Sequence, residues 1–174
     1  MSCVGDAVWR ASRGWQVTAI DPSGVALERA RAAARAIGVE VAWARIGLLD
    51  LPEGPGGYDL VTAHYPVLPR GHDDAASRAL LRAVAPGGTL LFVHHDLDPT
   101  RAAEHGFDLA AHVTPHRLVT HLDDDWALEV LETRERHGAH GPEHEHPSDI
   151  VLRARRRRPV PDPWATPSRP PPPE

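Results

Sequence analysis

The stretch Val17-Thr18-Ala19-Ile20-Asp21-Pro22-Ser23 decides how this chain is read, because an apolar, β-branched run ends there on a carboxylate and a helix start. Residues 15–20 have the composition of a buried strand. Asp21-Pro22-Ser23 breaks that strand, and Ser23 can cap a helix reaching about residue 37, whose Ala26, Leu27, Ala30, Ala33, Ala34 and Ile37 recur at helical spacing. Gly38 supplies the stop.

Working outward, Asp6 can cap a short helix over residues 6–13 that Gly14 ends, and residues 39–44 have strand propensity. A loop carrying Leu48, Leu49 and Asp50 leads to a buried-type strand over 58–63. Residues 73–85 follow as a helix with Ala76, Leu80 and Val84 on one stripe, closed by Pro86-Gly87-Gly88 before a strand at 89–93. Helix and strand thus alternate, which predicts an α/β, doubly wound domain with a mostly parallel sheet covered on both faces. A short helix over 114–122 comes next, and strands at 126–133 and 149–154 close the domain as a C-terminal antiparallel hairpin. This places one domain over 1–154. The tail, 155–174, with four consecutive arginines and a run of prolines, reads as disordered.

Bulk properties narrow the function classes. With 41% hydrophobic and 25% charged residues the chain is an ordinary soluble type, and 5% aromatics leave Val, Leu, Ile and Ala to fill the core. No window approaches 18 apolar residues and no signal pattern opens the chain, so the expectation is a cytoplasmic protein with no membrane partner. Cys3 is the single cysteine, which rules out an internal disulfide or a thiolate-rich zinc site. A net charge of −5 argues against a surface built for nucleic acid, and the arginine run at 155–158 reads as solvated.

In an open parallel sheet, ligands bind beyond the carboxyl ends of the strands. Asp21 stands at such an end, where a carboxylate can accept hydrogen bonds from both hydroxyls of a ribose. Both NAD and S-adenosylmethionine are held in this way, while Asp-Pro-Ser is also a common helix start, so geometry leaves all three open.

The residues around Asp21 also carry a resemblance. The run from Val17 to Ser23 resembles the second-strand motif of class I S-adenosylmethionine-dependent methyltransferases, and Tyr58-Asp59-Leu60-Val61 and Pro86-Gly87-Gly88-Thr89-Leu90 are similar to that family's fourth- and fifth-strand motifs. Within it, the histidine-bearing loop is most similar to small-molecule enzymes of the tellurite-resistance type. The resemblance implies S-adenosylmethionine as cofactor, methyl transfer to a small-molecule acceptor, and the family's Rossmann-like fold. It would place Asp21 on the ribose, Pro22 and Leu48 at the adenine, Ala63 and His64 near the methionine part, and Gly5 in what remains of the glycine loop. Gly47 stands where relatives often carry an acid. The family's first strand and glycine loop have only Met1-Ser2-Cys3-Val4-Gly5 to represent them, so the expectation is an N-terminally incomplete domain that binds cofactor weakly. The alternative function is an inactive relic or interaction protein on the same scaffold.

Soft nucleophiles such as thiolate would need no strong base, whereas hydroxyl or amine acceptors would, with His64, Tyr65, His94 and His95 the candidates by position. No catalytic residue is assigned among them. His137, His140, His144 and His146 lie in a glycine- and proline-broken loop without a thiolate, which argues against a structural metal site. The absence of any G-x-G-x-x-G disfavours a nicotinamide enzyme.

Overall fold

The computed structural model describes residues 3–52, 57–136 and 147–159. Helix α1 (Cys3–Ser12) starts three residues ahead of Asp6, so Asp6 is not its cap. Its carboxylate instead accepts from Arg10 Nε at 3.0 Å, one helical turn on, and from Thr62 Oγ1 at 3.1 Å. Strand β1 (Thr18–Ile20) is shorter than the apolar run predicts, and Trp15 lies exposed. Helix α2 (Gly24–Ala36) is capped as expected, with Ser23 Oγ accepting from the Ala26 amide at 3.2 Å, and it buries Leu27, Ala30 and Ala34. Ile37 terminates it and stays exposed.

Strand β2 (Ala42–Ala44) pairs in parallel with β1 and ends a two-stranded sheet. Strand β3 (Tyr58–His64) belongs to a second, four-stranded sheet and pairs in parallel with β4 (Val84–His95). The last strands, β5 (Trp126–Glu135) and β6 (Ser148–Arg156), form the expected antiparallel pair. β6 also pairs antiparallel with β4, giving the order β3-β4-β6-β5. Among the described residues no strand joins β1 to β3, so both present an open edge. The architecture is the doubly wound α/β type: Ala63 and Val61 of β3 pack toward the main core, while Thr62 meets Asp6 of α1.

β6 carries the chain through Arg155 and Arg156, past the boundary expected at 154. Two contacts explain the extension: Arg156 donates to the Val84 carbonyl at 2.8 Å, and the Arg157 amide donates to the Asp125 carbonyl at 2.7 Å. The arginine run therefore starts as sheet. The rest of the tail, 160–174, and the histidine loop 137–146 lie outside the described residues.

The core gathers on one face of the larger sheet, where Leu90, Phe92, Leu152 and Ala154 meet Leu80 and Leu81 of α3 (Ala75–Arg82) and Leu118 of α5 (Pro115–Val119). It is mainly aliphatic, as the composition requires, yet Phe92 is its largest fully buried side chain. A further short helix, α4 (Pro99–Glu104), has no counterpart in the sequence reading. Asp98 caps it by accepting from the Arg101 amide at 2.8 Å.

The helix expected over 73–85 is divided. Asp73 and Asp74 have φ of 50° and 55°, which no helix interior permits, so α3 begins only at Ala75. An ion pair holds that strained corner: Arg117 of α5 reaches Asp74 through two nitrogens, at 2.8 and 2.7 Å, with His121 Nε2 at 3.4 Å and Arg70 Nε at 3.7 Å. The hydrogen bond from Arg117 lowers the Asp74 pKa to about 2. A lowered carboxylate pKa stabilises the fold above the ordinary value of 3.8, and that contribution fades as pH falls toward 2. Arg117→Ala should accordingly lower the thermal midpoint at pH 7 more than at pH 2. Arg117→Lys should restore only part of the difference, since an ammonium cannot fork onto both oxygens. Equal losses at the two pH values would show that the pair does not hold the corner.

Candidate cofactor and acceptor site

The candidate residues follow the carboxyl ends of the parallel strands in each of the two sheets. β1 delivers Asp21, β2 leads to Arg45 and Gly47, β3 ends on His64 and Tyr65, and β4 ends on His95. Asp21 is half-buried, and its Oδ1 accepts from the Ser23 amide at 2.7 Å. The Asp21 amide continues the β1–β2 ladder by donating to Ala44 O at 3.2 Å. Its Oδ2 accepts no hydrogen bond from a described residue, so the carboxylate is oriented at one oxygen and open at the other. That is the donor-seeking arrangement a ribose diol requires.

Pro22 is exposed beside it, and its carbonyl accepts from Arg45 Nε at 3.3 Å. Arg45 is a strand-end residue that sequence reasoning missed, because nothing in the local pattern marks an arginine two residues before Gly47 as crossing to the start of α2. Gly47 is extended, and a Cβ added to it would stand 3.2 Å from Asp50 Oδ2. Leu48 opens a short 3-10 turn, Leu48–Asp50, and its side chain packs toward the core and α3. It also lines a depression of about 310 Å³ with Tyr58, Arg82 and Pro86, at the amino ends of β3 and β4. A wider depression, about 650 Å³, lies near Val17, Val39 and Trp43, and neither depression includes Asp21.

Gly5 lies in the first turns of α1, exposed, with open space where a Cβ would project. Ala63 packs against the main core, so it can present backbone only. His64, on the opposite face of β3, brings Nε2 within 4.0 Å of Asp6 Oδ2. Asp21 and Pro22 thus sit on one sheet, Ala63 and His64 on the other.

A second group converges on Asp149, at the start of β6 and in register with His95. Asp149 is 9% exposed and collects three donors: Tyr65 OH at 2.7 Å, His95 Nδ1 at 3.2 Å and Arg136 Nε at 3.4 Å. The Tyr65 and His95 rings stack at 4.3 Å and 24°, and the Arg136 guanidinium lies 5.5 Å from the Tyr65 ring centre. Burial, then the hydrogen bond to Asp149, pushes the Tyr65 pKa up to about 12, so the phenol stays a neutral donor. Asp149 and Arg136 lie 54 and 41 residues beyond His95 in sequence, and no local pattern connects them.

A doubly wound domain with a half-open carboxylate at a strand end is the class of protein that holds an adenosine-bearing cofactor. A family model described as a methyltransferase domain matches residues 4–88 of this chain. No curated protein matches the chain. Among solved structures, a methyltransferase of Methanosarcina mazei is 18% identical, with 90% of each chain covered and a TM-score of 0.64. The N-methyltransferase NodS of Bradyrhizobium japonicum is 18% identical over 82% of this chain and 74% of its own, with a TM-score of 0.60; it is also known in complex with S-adenosyl-L-homocysteine. A 16S rRNA adenine methyltransferase mutant from Catenulisporales acidiphilia is 21% identical over 90% of this chain and 81% of its own, with a TM-score of 0.60. At these identities the likeness establishes the fold. No helix among the described residues is long and apolar enough to cross a membrane.

Proposed function

We propose that this chain transfers a methyl group from S-adenosylmethionine to a small-molecule acceptor bound over the carboxyl ends of β3 and β4. The observation that carries the reading is the Asp21 carboxylate, held by the Ser23 amide through one oxygen and open at the other. The residues fit the cofactor: Asp21 would take the ribose hydroxyls, and Pro22 with the Leu48 backbone would flank the adenine. His64, Ala63 and Gly5 would border the methionine part. The cofactor supplies an electrophilic methyl on a sulfonium. What the protein adds is alignment of the nucleophile and exclusion of water. A small acceptor fits the net charge of −5, which disfavours a polyanionic substrate.

Calorimetric titration with S-adenosyl-L-homocysteine tests the clamp. Asp21→Ala should weaken binding by about 2 kcal/mol, or roughly thirtyfold, the ordinary worth of a hydrogen bond to a charged group. An unchanged affinity would remove Asp21 from the ribose. No heat at millimolar ligand would remove the enzyme reading and favour a scaffold without cofactor.

A further inference from the structure

We propose that this chain forms a two-fold dimer in which the outer edge of β2 pairs with the same edge of a second copy, joining two small sheets into one of four strands. A sheet of two strands is marginal on its own, and β1 and β2 pair over only three residues each. Three features fit this edge to a copy of itself.

The first is the backbone. The Ala42 amide donates to Val17 O at 2.9 Å and Ala44 O accepts from the Asp21 amide at 3.2 Å, so Ala42 and Ala44 bond toward β1. Alternation turns the N–H and C=O of Val41 and Trp43 outward, where no strand among the described residues meets them. The second is apolar surface. The depression of about 650 Å³ follows this edge, lined by Val39, Val41 and Trp43 on the strand side and by Arg31, Ala34 and Arg35 of α2 on the other. Ile37 and Trp15, two residues before Val39 and Val17, are 57% and 47% exposed. Contiguous exposed apolar surface marks a place that another molecule covers.

The third is charge, which selects the occupant. Glu28, Arg31 and Arg35 follow one another by three and four positions, so they form one stripe of α2, and the two arginines set that stripe on the side of the β2 edge. Glu28 and Arg35 are exposed and have no ion-pair partner among the described residues. A two-fold axis at Val41 lets Val41 and its copy exchange both backbone bonds, and sets Trp43 opposite the copy's Val39. The crossover helix α2 runs against β2. From Gly38 to Val41 the strand climbs about 10 Å, the height of about six or seven helical residues, which brings the same axis level with residues 31 and 32 of α2. The antiparallel copy of α2 then places its Arg35 against Glu28, and the symmetry repeats the pair. Acid and base spaced equally about one axis make a surface complementary to itself, as a closed two-fold contact requires. The strands of the two copies run in opposite directions, so the two Asp21 corners lie at opposite ends of the joined sheet.

Sedimentation velocity of the full chain from about 1 to 100 µM reads the assembly without any cofactor. The expected species has twice the 19.0 kDa mass of one chain. Glu28→Arg, which sets like charges face to face, should raise the dissociation constant by about tenfold or more. Glu28→Arg combined with Arg35→Glu should recover most of that loss, because the exchange restores both pairs. Val41→Pro removes an N–H that β1 does not use, so it should dissociate the dimer while the circular dichroism spectrum stays unchanged. A chain that sediments at 19.0 kDa throughout overturns the proposal. A dimer indifferent to both Glu28→Arg and the exchange overturns it as well, since the contact would then lie elsewhere. Should Val41→Pro fail to fold, the charge exchange on the exposed helix face decides alone.

Discussion

Phe92→Ala should destabilise the domain by about 3–5 kcal/mol, a large share of the 5–15 kcal/mol that holds a typical domain folded. Phe92 has no exposed surface and sits mid-strand on β4, paired with Ala63 on one side and Leu152 on the other. Its neighbours in the core are mostly Leu, Val and Ala, close-packed around it, so the vacated volume is left as a cavity. Urea unfolding should show the midpoint fall with the slope unchanged. A loss below about 1 kcal/mol would mean that the site collapses around the smaller side chain. The damage should reach the carboxyl end of β4, because the same strand delivers His95 three residues later. Phe92→Leu, which preserves most of the volume, should recover much of the loss.

Gly88→Ala should cost about 3 kcal/mol, near the top of the ordinary range for a single substitution. The pairing of β3 with β4 jumps from Tyr58–Val84 to Leu60–Thr89, and the intervening residues of β4 bulge out. Gly88 closes the bulge against bare backbone. An added Cβ would stand 2.8 Å from Tyr58 O and 2.9 Å from Ala85 O, and neither carbonyl can rotate aside as a side chain would. The two strands must part, and they are the pair that carries His64, Tyr65 and His95. Gly5→Ala is the internal comparison, since it lies in a helix with nothing within 4 Å of the new carbon and should stabilise by about 0.5–1 kcal/mol. If both alanines behave alike in thermal denaturation, backbone crowding at Gly88 is not what the Pro86-Gly87-Gly88 sequence provides.

Much of the fold was legible because its signals are local. The Ser23 cap, the Ala-rich stripe of α2 and the apolar run of β3 each lie within a dozen residues, and those elements form where the pattern places them, whereas β4 starts at Val84, inside the stretch expected as helix. Boundaries shifted where a distant partner intervened. Arg117, 43 residues beyond Asp74, holds the corner that delays α3, and the carbonyls of Val84 and Asp125 draw the arginines of β6 into the sheet. The apolar character of Trp15 predicts it within β1, but the strand begins only at Thr18.

The candidate site divides along the same line. A carboxylate after a strand and before a capped helix is a chain-local arrangement, so Asp21 could be singled out from seven consecutive residues. Arg45 beside Pro22, the inward turn of Leu48, and the convergence of Tyr65, His95 and Arg136 on Asp149 could not, because their partners are set by strand order and register. Placing β6 between β4 and β5 is what sets Asp149 opposite His95. Periodicity and capping act over one or two turns of chain and therefore specify elements. Which side chains share a proton depends on how those elements pair, and only the folded sheet decides that.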